Sequence, residues 1–227
     1  MNRFLSWFCN YTVRPIIFGR LIKESGGWEN IPPTNYILVS NHLSHLDELI
    51  CGSVCTPRPF HFIGQVDKYS GFKAKLRDFI YYLTGTIPLD RNSKESGVEV
   101  LAASEKYLNK GDIILMYPEG TRSRSGKMGT AKKGCAVLAV NTGLPILPMC
   151  LSGTYELAPP GEKPVWKKTV KLVVGKPLYF HEEMKKIKML KYGSEEYGAV
   201  LQDIADKAMY EVRLLKAKMD NISPQEV

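Results

Sequence analysis

The 227-residue chain lacks several features that mark other classes of protein. No stretch reaches 18 uninterrupted apolar residues, so we expect no membrane-spanning helix. The first 25 residues have neither the unbroken apolar centre nor the small-residue cleavage site of a secretory signal. There is no internal repeat, low-complexity tract or long linker. A chain of this length is therefore most simply one domain with a sizeable core.

Residues that bind metals or form disulfides are also few. The five cysteines are odd in number, and Cys51 and Cys55 have helical spacing rather than a Cys-x-x-Cys spacing. This usage is typical of reduced intracellular thiols that pack as small core residues. Of the four histidines, His42 and His45 lie close in sequence but lack the further ligands of a zinc site. We therefore predict that the protein holds no metal.

Acidic residues are outnumbered by basic ones. The chain has 23 Asp and Glu against 31 Lys and Arg, which gives a formal net charge of +8. This balance favours an anionic partner, such as a phosphorylated substrate, an acidic carrier or an anionic membrane face. On charge alone, nucleic acid stays open as a partner.

Apolar runs alternate with helical patterns along the chain. Strands are predicted at 36–40, 60–63, 86–89, 112–117, 146–151 and 170–174. Helices are predicted at about 44–56, 71–83, 93–109, 131–142 and 194–219. This alternation predicts an α/β fold with a mixed, mostly parallel sheet flanked by helices. We expect an N-terminal helical segment at 1–25, one domain at 26–220 and a frayed tail at 221–227.

The segment 41–47, Asn-His-Leu-Ser-His-Leu-Asp, lies at a predicted strand-to-helix junction. Ser44 and Asp47 fit a capping box, so we expect a helix to begin at Ser44 with Asp47 in its first turn. His42 then lies in the preceding loop, where its imidazole can meet Asp47. A carboxylate on one ring nitrogen makes imidazole a useful general base. Considered alone, such a pair is more often a capped helix start beside a hydrogen-bonded histidine.

A basic loop at 118–127 follows another predicted strand. Five residues separate Gly120 from Gly126, and no Ser or Thr follows the lysine, so the loop does not fit the phosphate-binding loop of NTPases. A glycine beside an arginine still makes an anion site, to which Lys132 and Lys133 could add charge. The alternative is a solvated basic loop.

Two segments mix cations with large apolar side chains, namely 1–25 and 68–82. The first fits a helix that lies among lipid headgroups, with Pro15 kinking it or separating two short helices. A helix that packs in the core fits the first segment equally well. The second segment suits anionic headgroups.

Four blocks of the sequence, in the same order, resemble those of the glycerolipid acyltransferases typified by 1-acylglycerol-3-phosphate acyltransferase. The blocks are 41–47, 85–91, 117–123 and 144–149. The resemblance implies an αβ acyltransferase domain that moves a fatty acyl group from acyl-CoA or acyl carrier protein to the sn-2 hydroxyl of 1-acylglycerol-3-phosphate. The product would be phosphatidic acid, for phospholipid biosynthesis, and no cofactor would be needed beyond the donor.

The resemblance also implies roles for particular residues. His42 would take the hydroxyl proton, and Asp47 would orient His42. The expected phosphate-binding residues are Arg91, Glu119, Gly120, Thr121 and Arg122. Further phosphate or donor contacts are expected from Lys68, Lys132 and Lys133. An acyl-binding wall is expected from Leu144, Pro145, Ile146 and Pro148. Backbone amides near Gly120 and Thr121 would stabilise the carbonyl oxygen as it gains charge.

Members of this family carry an N-terminal pair of helices that rest on the membrane. The resemblance therefore assigns 1–25 to an anionic lipid surface at the cytoplasmic face of a membrane, with peripheral or monotopic attachment. The basic residues that follow the third block, at 124–128, are more numerous than that block needs. The identity of the acceptor is accordingly less well defined than the reaction.

Several alternatives stay open within and outside this class. Glycerol-3-phosphate, another lysophospholipid or a lipid alcohol could be the acceptor, and the donor, chain length and oligomeric state are not specified. A serine hydrolase is disfavoured because no Gly-x-Ser-x-Gly occurs and Ser44 is too near His42 in sequence. A basic module that binds membranes or nucleic acid leaves the blocks at 85–91 and 117–123 unexplained, so we predict no nucleic-acid partner.

Overall fold

The computed structural model describes residues 1–65, 70–90, 92–159, 161 and 163–227. Within these ranges seven strands form one sheet in the order β1-β7-β6-β2-β5-β3-β4. The strands are β1 (Ile22–Gly26), β2 (Ile37–Ser40), β3 (Phe60–Gln65), β4 (Thr86–Leu89), β5 (Ile113–Met116), β6 (Ile146–Ser152) and β7 (Val170–Val174). All neighbours pair in parallel except β6 and β7. The predicted mixed, mostly parallel sheet is confirmed.

Helices cover both faces of this sheet. They are α1 (Arg3–Tyr11), α2 (Val13–Arg20), α3 (Leu46–Cys55), α4 (Gly71–Thr84), α5 (Lys94–Asn109), α6 (Gly134–Thr142), α7 (Thr154–Leu157), α8 (His181–Lys188) and α9 (Glu195–Asp220). Side chains alternate between the faces of a strand, so two apolar clusters form. Val39 and Met116 belong to the cluster that includes residues of α5, α6 and α9. Leu38 and Leu115 belong to the cluster that includes residues of α2 and α3.

The central strands are apolar because helices bury them on both sides. Every residue of β2 and β5 is buried, which is the usual state of a parallel strand between two helical layers. Such runs were the strongest strand signals in the sequence. No such signal marks β1, since only Ile22 among its five residues is buried.

The N-terminal prediction of a helical segment through residue 25 needs correction. The helices end at Arg20, and β1 then pairs in parallel with β7. Because β7 runs antiparallel to β6, both β1 and β7 begin at the edge where β2, β5 and β6 end. Val170 N–H donates to Leu21 O across this junction at 2.9 Å. The helices α1 and α2 therefore lie at the carboxyl-end edge of the central strands.

The helices α1, α2 and α4 each expose two or more large apolar side chains. On α1 and α2 these are Phe4, Trp7, Phe8, Tyr11, Val13 and Ile16, and the most exposed of them is Phe4 at 73%. No residue of α4 is buried, and its exposed side chains include Phe72, Leu76, Phe79 and Tyr82. No helix within the described ranges is long and apolar enough to cross a bilayer.

Candidate active site

His42 lies in the loop after β2 and contacts Asp47 directly. The Nδ1 atom of His42 is 3.0 Å from Oδ2 of Asp47. The same carboxylate oxygen accepts hydrogen bonds from the backbone N–H groups of Leu43 and Ser44, at 2.6 and 2.7 Å. Asp47 has no exposed surface. These contacts fix the carboxylate and the imidazole in one arrangement.

The capping pattern explains how the sequence builds this contact. Asp47 reaches back to the N–H of Ser44, as a capping box requires, and Ser44 Oγ accepts from Leu46 N–H at 3.2 Å. The helix begins at Leu46, two residues after the predicted start, and Asp47 lies in its first turn as expected. His42 and Asp47 are five positions apart in sequence, and their side chains can meet because His42 lies outside the helix.

The loop after β5 holds His42 from the other side. The ring of Tyr117 stacks on the imidazole with centroids 3.9 Å apart and an angle of 12° between the planes. The N–H of His42 donates to Glu119 Oε1 at 2.9 Å, and its carbonyl accepts from Ser123 N–H at 2.8 Å. The first and third sequence blocks therefore form one rigid unit.

Glu119 supports this unit from a buried position. While Oε1 accepts from His42, Oε2 accepts from Gly129 N–H at 2.7 Å. Burial raises the pKa of Glu119, although the two N–H donors act to lower it. The residue does not line the cleft described below, so its predicted contact with phosphate needs correction. Its carboxylate instead ties the His42 loop to the segment at 129.

A cleft of about 890 Å³ opens beside His42. Its polar part is lined by His42, His45, Glu48, Gly120, Thr121, Arg122 and Lys132. Gly120 has φ +69°, and a Cβ there would lie 2.7 Å from Lys132 Nζ. Only glycine adopts this conformation freely, and its lack of a side chain lets the ammonium approach the loop backbone. Arg122 and Lys132 thus line the same cleft as His42, and an anion site there stays a prediction.

The apolar lining of the cleft falls into two groups of residues, which lie on opposite faces of the sheet. The first group includes Leu5, Cys9, Val13, Leu49, Ser53 and Phe60. The second group includes Ile63, Leu89, Gly97, Val100, Leu101 and Met116. In the first group, Leu5, Cys9 and Phe60 pack with the apolar cluster that includes residues of α2 and α3. In the second group, Val100, Leu101 and Met116 pack with the cluster that includes residues of α5, α6 and α9.

Other predicted site residues lie elsewhere. The four residues predicted to form an acyl-binding wall do not line the cleft; they are Leu144, Pro145, Ile146 and Pro148. All but Leu144 are buried at the start of β6, at the opposite end of that strand from the cleft. Their apolar pattern marks a core strand, so the predicted acyl wall needs correction. Lys133 is also outside the cleft, and its ammonium lies near Gly198 of α9. The predicted contacts of Lys68 and Arg91 fall outside the described residues.

Comparison with known proteins identifies the family. A sequence model described as Acyltransferase matches residues 24–152, more than half of the chain. The chain belongs to the Acyltransferase family. A chloroplastic 1-acyl-sn-glycerol-3-phosphate acyltransferase of Brassica napus is 33% identical over 67% of this chain and 44% of its own length. One of the same description from Salmonella typhimurium is 33% identical over 53% of this chain and 48% of its own.

The fold of this chain also has a solved counterpart. The crystal structure of the 1-acyl-sn-glycerophosphate (LPA) acyltransferase PlsC from Thermotoga maritima superposes with a TM-score of 0.61 at 24% identity. The match covers 94% of this chain and 79% of that one, and it shows the shared fold. Against the first sequence relatives, the chain spans less than half of their length.

Two residues of this candidate site have no local signal in the sequence. Glu48 lines the cleft, where burial raises its pKa and the charges of His42 and Arg122 oppose that rise. Tyr117 ends the strand predicted at 112–117, and its stacking on His42 has no local sequence signal. Within the described part of the chain, no group of three or more His, Cys, Asp or Glu residues could hold a metal ion.

Proposed function

We propose that this chain is a 1-acylglycerol-3-phosphate O-acyltransferase. The observation that carries the proposal is the fixed His42–Asp47 pair at the mouth of a cleft that Arg122 and Lys132 also line. A general base, two cations for a phosphate and apolar space for acyl chains are the groups that this reaction needs. The names of the sequence relatives favour the same acceptor.

The proposed reaction uses His42 as the general base. With Nδ1 engaged by Asp47, Nε2 takes the proton of the sn-2 hydroxyl while its oxygen attacks the thioester carbonyl. The new C–O bond forms, the C–S bond breaks, and the imidazolium returns its proton to the leaving thiolate. Asp47 stabilises the imidazolium between these steps. No acyl-enzyme and no cofactor take part.

The acceptor phosphate is assigned to the basic side of the cleft. The guanidinium of Arg122 can pair with two phosphate oxygens, and Lys132 adds a second positive charge. Arg91 stays a predicted third partner. For the carbonyl oxygen, Gly120 N–H is already donated to Tyr117 O at 2.9 Å. The backbone donor that we assign to the developing oxyanion is therefore the N–H of Thr121.

The exposed faces of α1, α2 and α4 are assigned to an anionic membrane surface. Large apolar side chains on short helices, with arginines and lysines nearby, match the composition of helices that lie among headgroups. We assign the enzyme to the cytoplasmic face, attached peripherally or monotopically, where a soluble acyl-CoA or acyl carrier protein can reach the cleft.

Liposome co-sedimentation checks the membrane assignment. We expect a Phe4→Ser, Trp7→Ser double variant to bind vesicles containing anionic lipid about 10- to 100-fold more weakly, because two large apolar side chains no longer leave water. Tyr210→Ser is the matched control, since Tyr210 is exposed on α9, away from these helices. Equal binding by wild type and the double variant would contradict the assignment.

The proposed reaction is tested by release of free thiol from palmitoyl-CoA. The wild-type protein receives lysophosphatidic acid, glycerol-3-phosphate or no acceptor, on liposomes. We expect release that depends on lysophosphatidic acid and yields phosphatidic acid. Equal rates with glycerol-3-phosphate would contradict the proposed selection of lysophosphatidic acid as the acceptor. No acyl transfer with either an acyl-CoA or an acyl carrier protein donor would overturn the enzymatic proposal.

A further inference from the structure

One face of the His42 imidazole is covered by the ring of Tyr117. The two rings are nearly parallel, with centroids 3.9 Å apart and an angle of 12° between their planes. The face of an aromatic ring is the negative pole of its quadrupole, and it attracts a cation that lies within about 6 Å of the ring centre. Tyr117 therefore lies where a positive charge on the imidazole is stabilised.

The hydroxyl of Tyr117 takes no part in this contact. It lies against the buried thiol of Cys51, on the interior side of the ring. Burial raises the pKa of the Tyr117 phenol well above its usual value, and the neighbouring Cys51, Asp47 and Glu48 act in the same direction. The phenol thus keeps its proton, and Tyr117 acts on His42 through the face of its ring.

We propose that Tyr117 is a positioning residue whose ring face stabilises the imidazolium that His42 becomes when Nε2 takes the acceptor proton. This role rests on the proposed function. The ring of His42 is neutral before proton transfer and positive afterwards, so the stacking interaction strengthens as the reaction proceeds. An interaction that strengthens on the way to the transition state raises kcat. Asp47 acts on the same charge from the edge of the ring, at Nδ1.

A second histidine of the chain has similar surroundings and supplies a matched control. His61 pairs with Asp112, and the ring of Tyr107 stacks on it with centroids 3.6 Å apart and an angle of 18° between the planes. Both ring nitrogens of His61 are engaged, since Nδ1 lies 3.1 Å from Gly85 O. Neither His61 nor Tyr107 lines the cleft. Tyr107→Leu therefore removes a similar stack outside the candidate site.

Steady-state thiol release with lysophosphatidic acid as acceptor compares loss of the ring with loss of the hydroxyl. We expect Tyr117→Leu to lower kcat about 5- to 30-fold, which corresponds to roughly 1–2 kcal/mol, with KM within about twofold of wild type. Tyr117→Met, a second variant without the ring, should show a similar loss. Tyr117→Phe keeps the ring face and should retain kcat within about threefold, and Tyr107→Leu should match wild type. Thermal unfolding checks that each variant is folded.

Histidine-selective ¹³C NMR follows the charge on His42 in the unliganded protein without reference to activity. Its signal is assigned with His42→Ala. Because the ring face favours the charged imidazole, the pH of half-protonation should be lower in Tyr117→Leu than in wild type and unchanged in Tyr117→Phe. The other titratable and charged groups that contact His42 or share its cleft are the same in these variants; they are His45, Asp47, Glu48, Glu119, Arg122 and Lys132.

The outcomes distinguish this proposal from the proposed function. If Tyr117→Phe or Tyr107→Leu loses as much kcat as Tyr117→Leu, the ring face of Tyr117 is not responsible, and the proposal is overturned while the enzyme assignment stands. An unchanged half-protonation of His42 in folded Tyr117→Leu would overturn it as well. If wild type is inactive with every acceptor and donor, the enzyme assignment fails, and the role of Tyr117 in the reaction fails with it.

Discussion

Asp47→Asn should lower kcat about 1,000-fold, with a much smaller change in KM. The carboxylate holds His42 by Nδ1 and offsets the positive charge that the ring gains when it takes the acceptor proton. An amide lacks that charge and can turn its NH₂ toward Nδ1, which places the ring proton on the wrong nitrogen. Steady-state thiol release measures the loss. A variant that retains most of the wild-type kcat would contradict the role of Asp47.

The chain supplies a matched control in a second histidine–carboxylate pair. His61 Nε2 lies 3.1 Å from Asp112 Oδ2, and neither residue lines the cleft. Asp112→Asn therefore removes the same charge from a similar pair outside the site, and we expect kcat close to that of wild type. If both substitutions reduced kcat equally, the loss would reflect the fold, and the special role of Asp47 would be refuted.

Arg122→Lys should raise KM for lysophosphatidic acid about 10- to 100-fold while kcat changes little. The guanidinium can hold two phosphate oxygens at once, whereas an ammonium offers a point charge without that fork. The expected loss of roughly 1.5–3 kcal/mol corresponds to hydrogen bonds made to a charged group. Initial rates over a range of lysophosphatidic acid concentrations separate KM from kcat.

Arg124→Lys is the control for this substitution. Arg124 is an exposed arginine two positions along the same loop, and it does not line the cleft. Its replacement should leave KM within about twofold, the usual range for exposed surface substitutions. An acceptor without phosphate, such as a monoacylglycerol, should be used equally poorly by wild type and Arg122→Lys. Equal increases in KM for both arginine variants would assign the effect to general charge rather than to Arg122.

Local sequence signals were sufficient to predict the contact between His42 and Asp47. An apolar run, a capping pair and a five-residue offset together specify where β2 ends, where α3 begins and why His42 meets Asp47. The stabilising contacts join residues only three to five positions apart. Such contacts are encoded in one short segment, and they therefore need no knowledge of the rest of the fold.

The remaining features depend on contacts between distant parts of the chain. Glu119 looks like a loop carboxylate in the sequence, and only the approach of Gly129 and His42 makes it a buried acceptor. The run at 144–148 is apolar because it begins a central strand, and the same pattern would suit an acyl-binding wall. The strand β1 has one buried residue and exists because β7 runs beside it. Hydrophobic patterns cannot specify these partners.

The most direct test of the account compares wild type with His42→Ala in the thiol-release assay with lysophosphatidic acid. The chemistry assigned to Nε2 predicts acceptor-dependent thiol release by wild type and a rate about 100- to 10,000-fold lower in the variant. Thermal unfolding checks that the variant is folded. Acceptor-dependent release that survives in folded His42→Ala would show that another group takes the proton, and it would contradict the central claim.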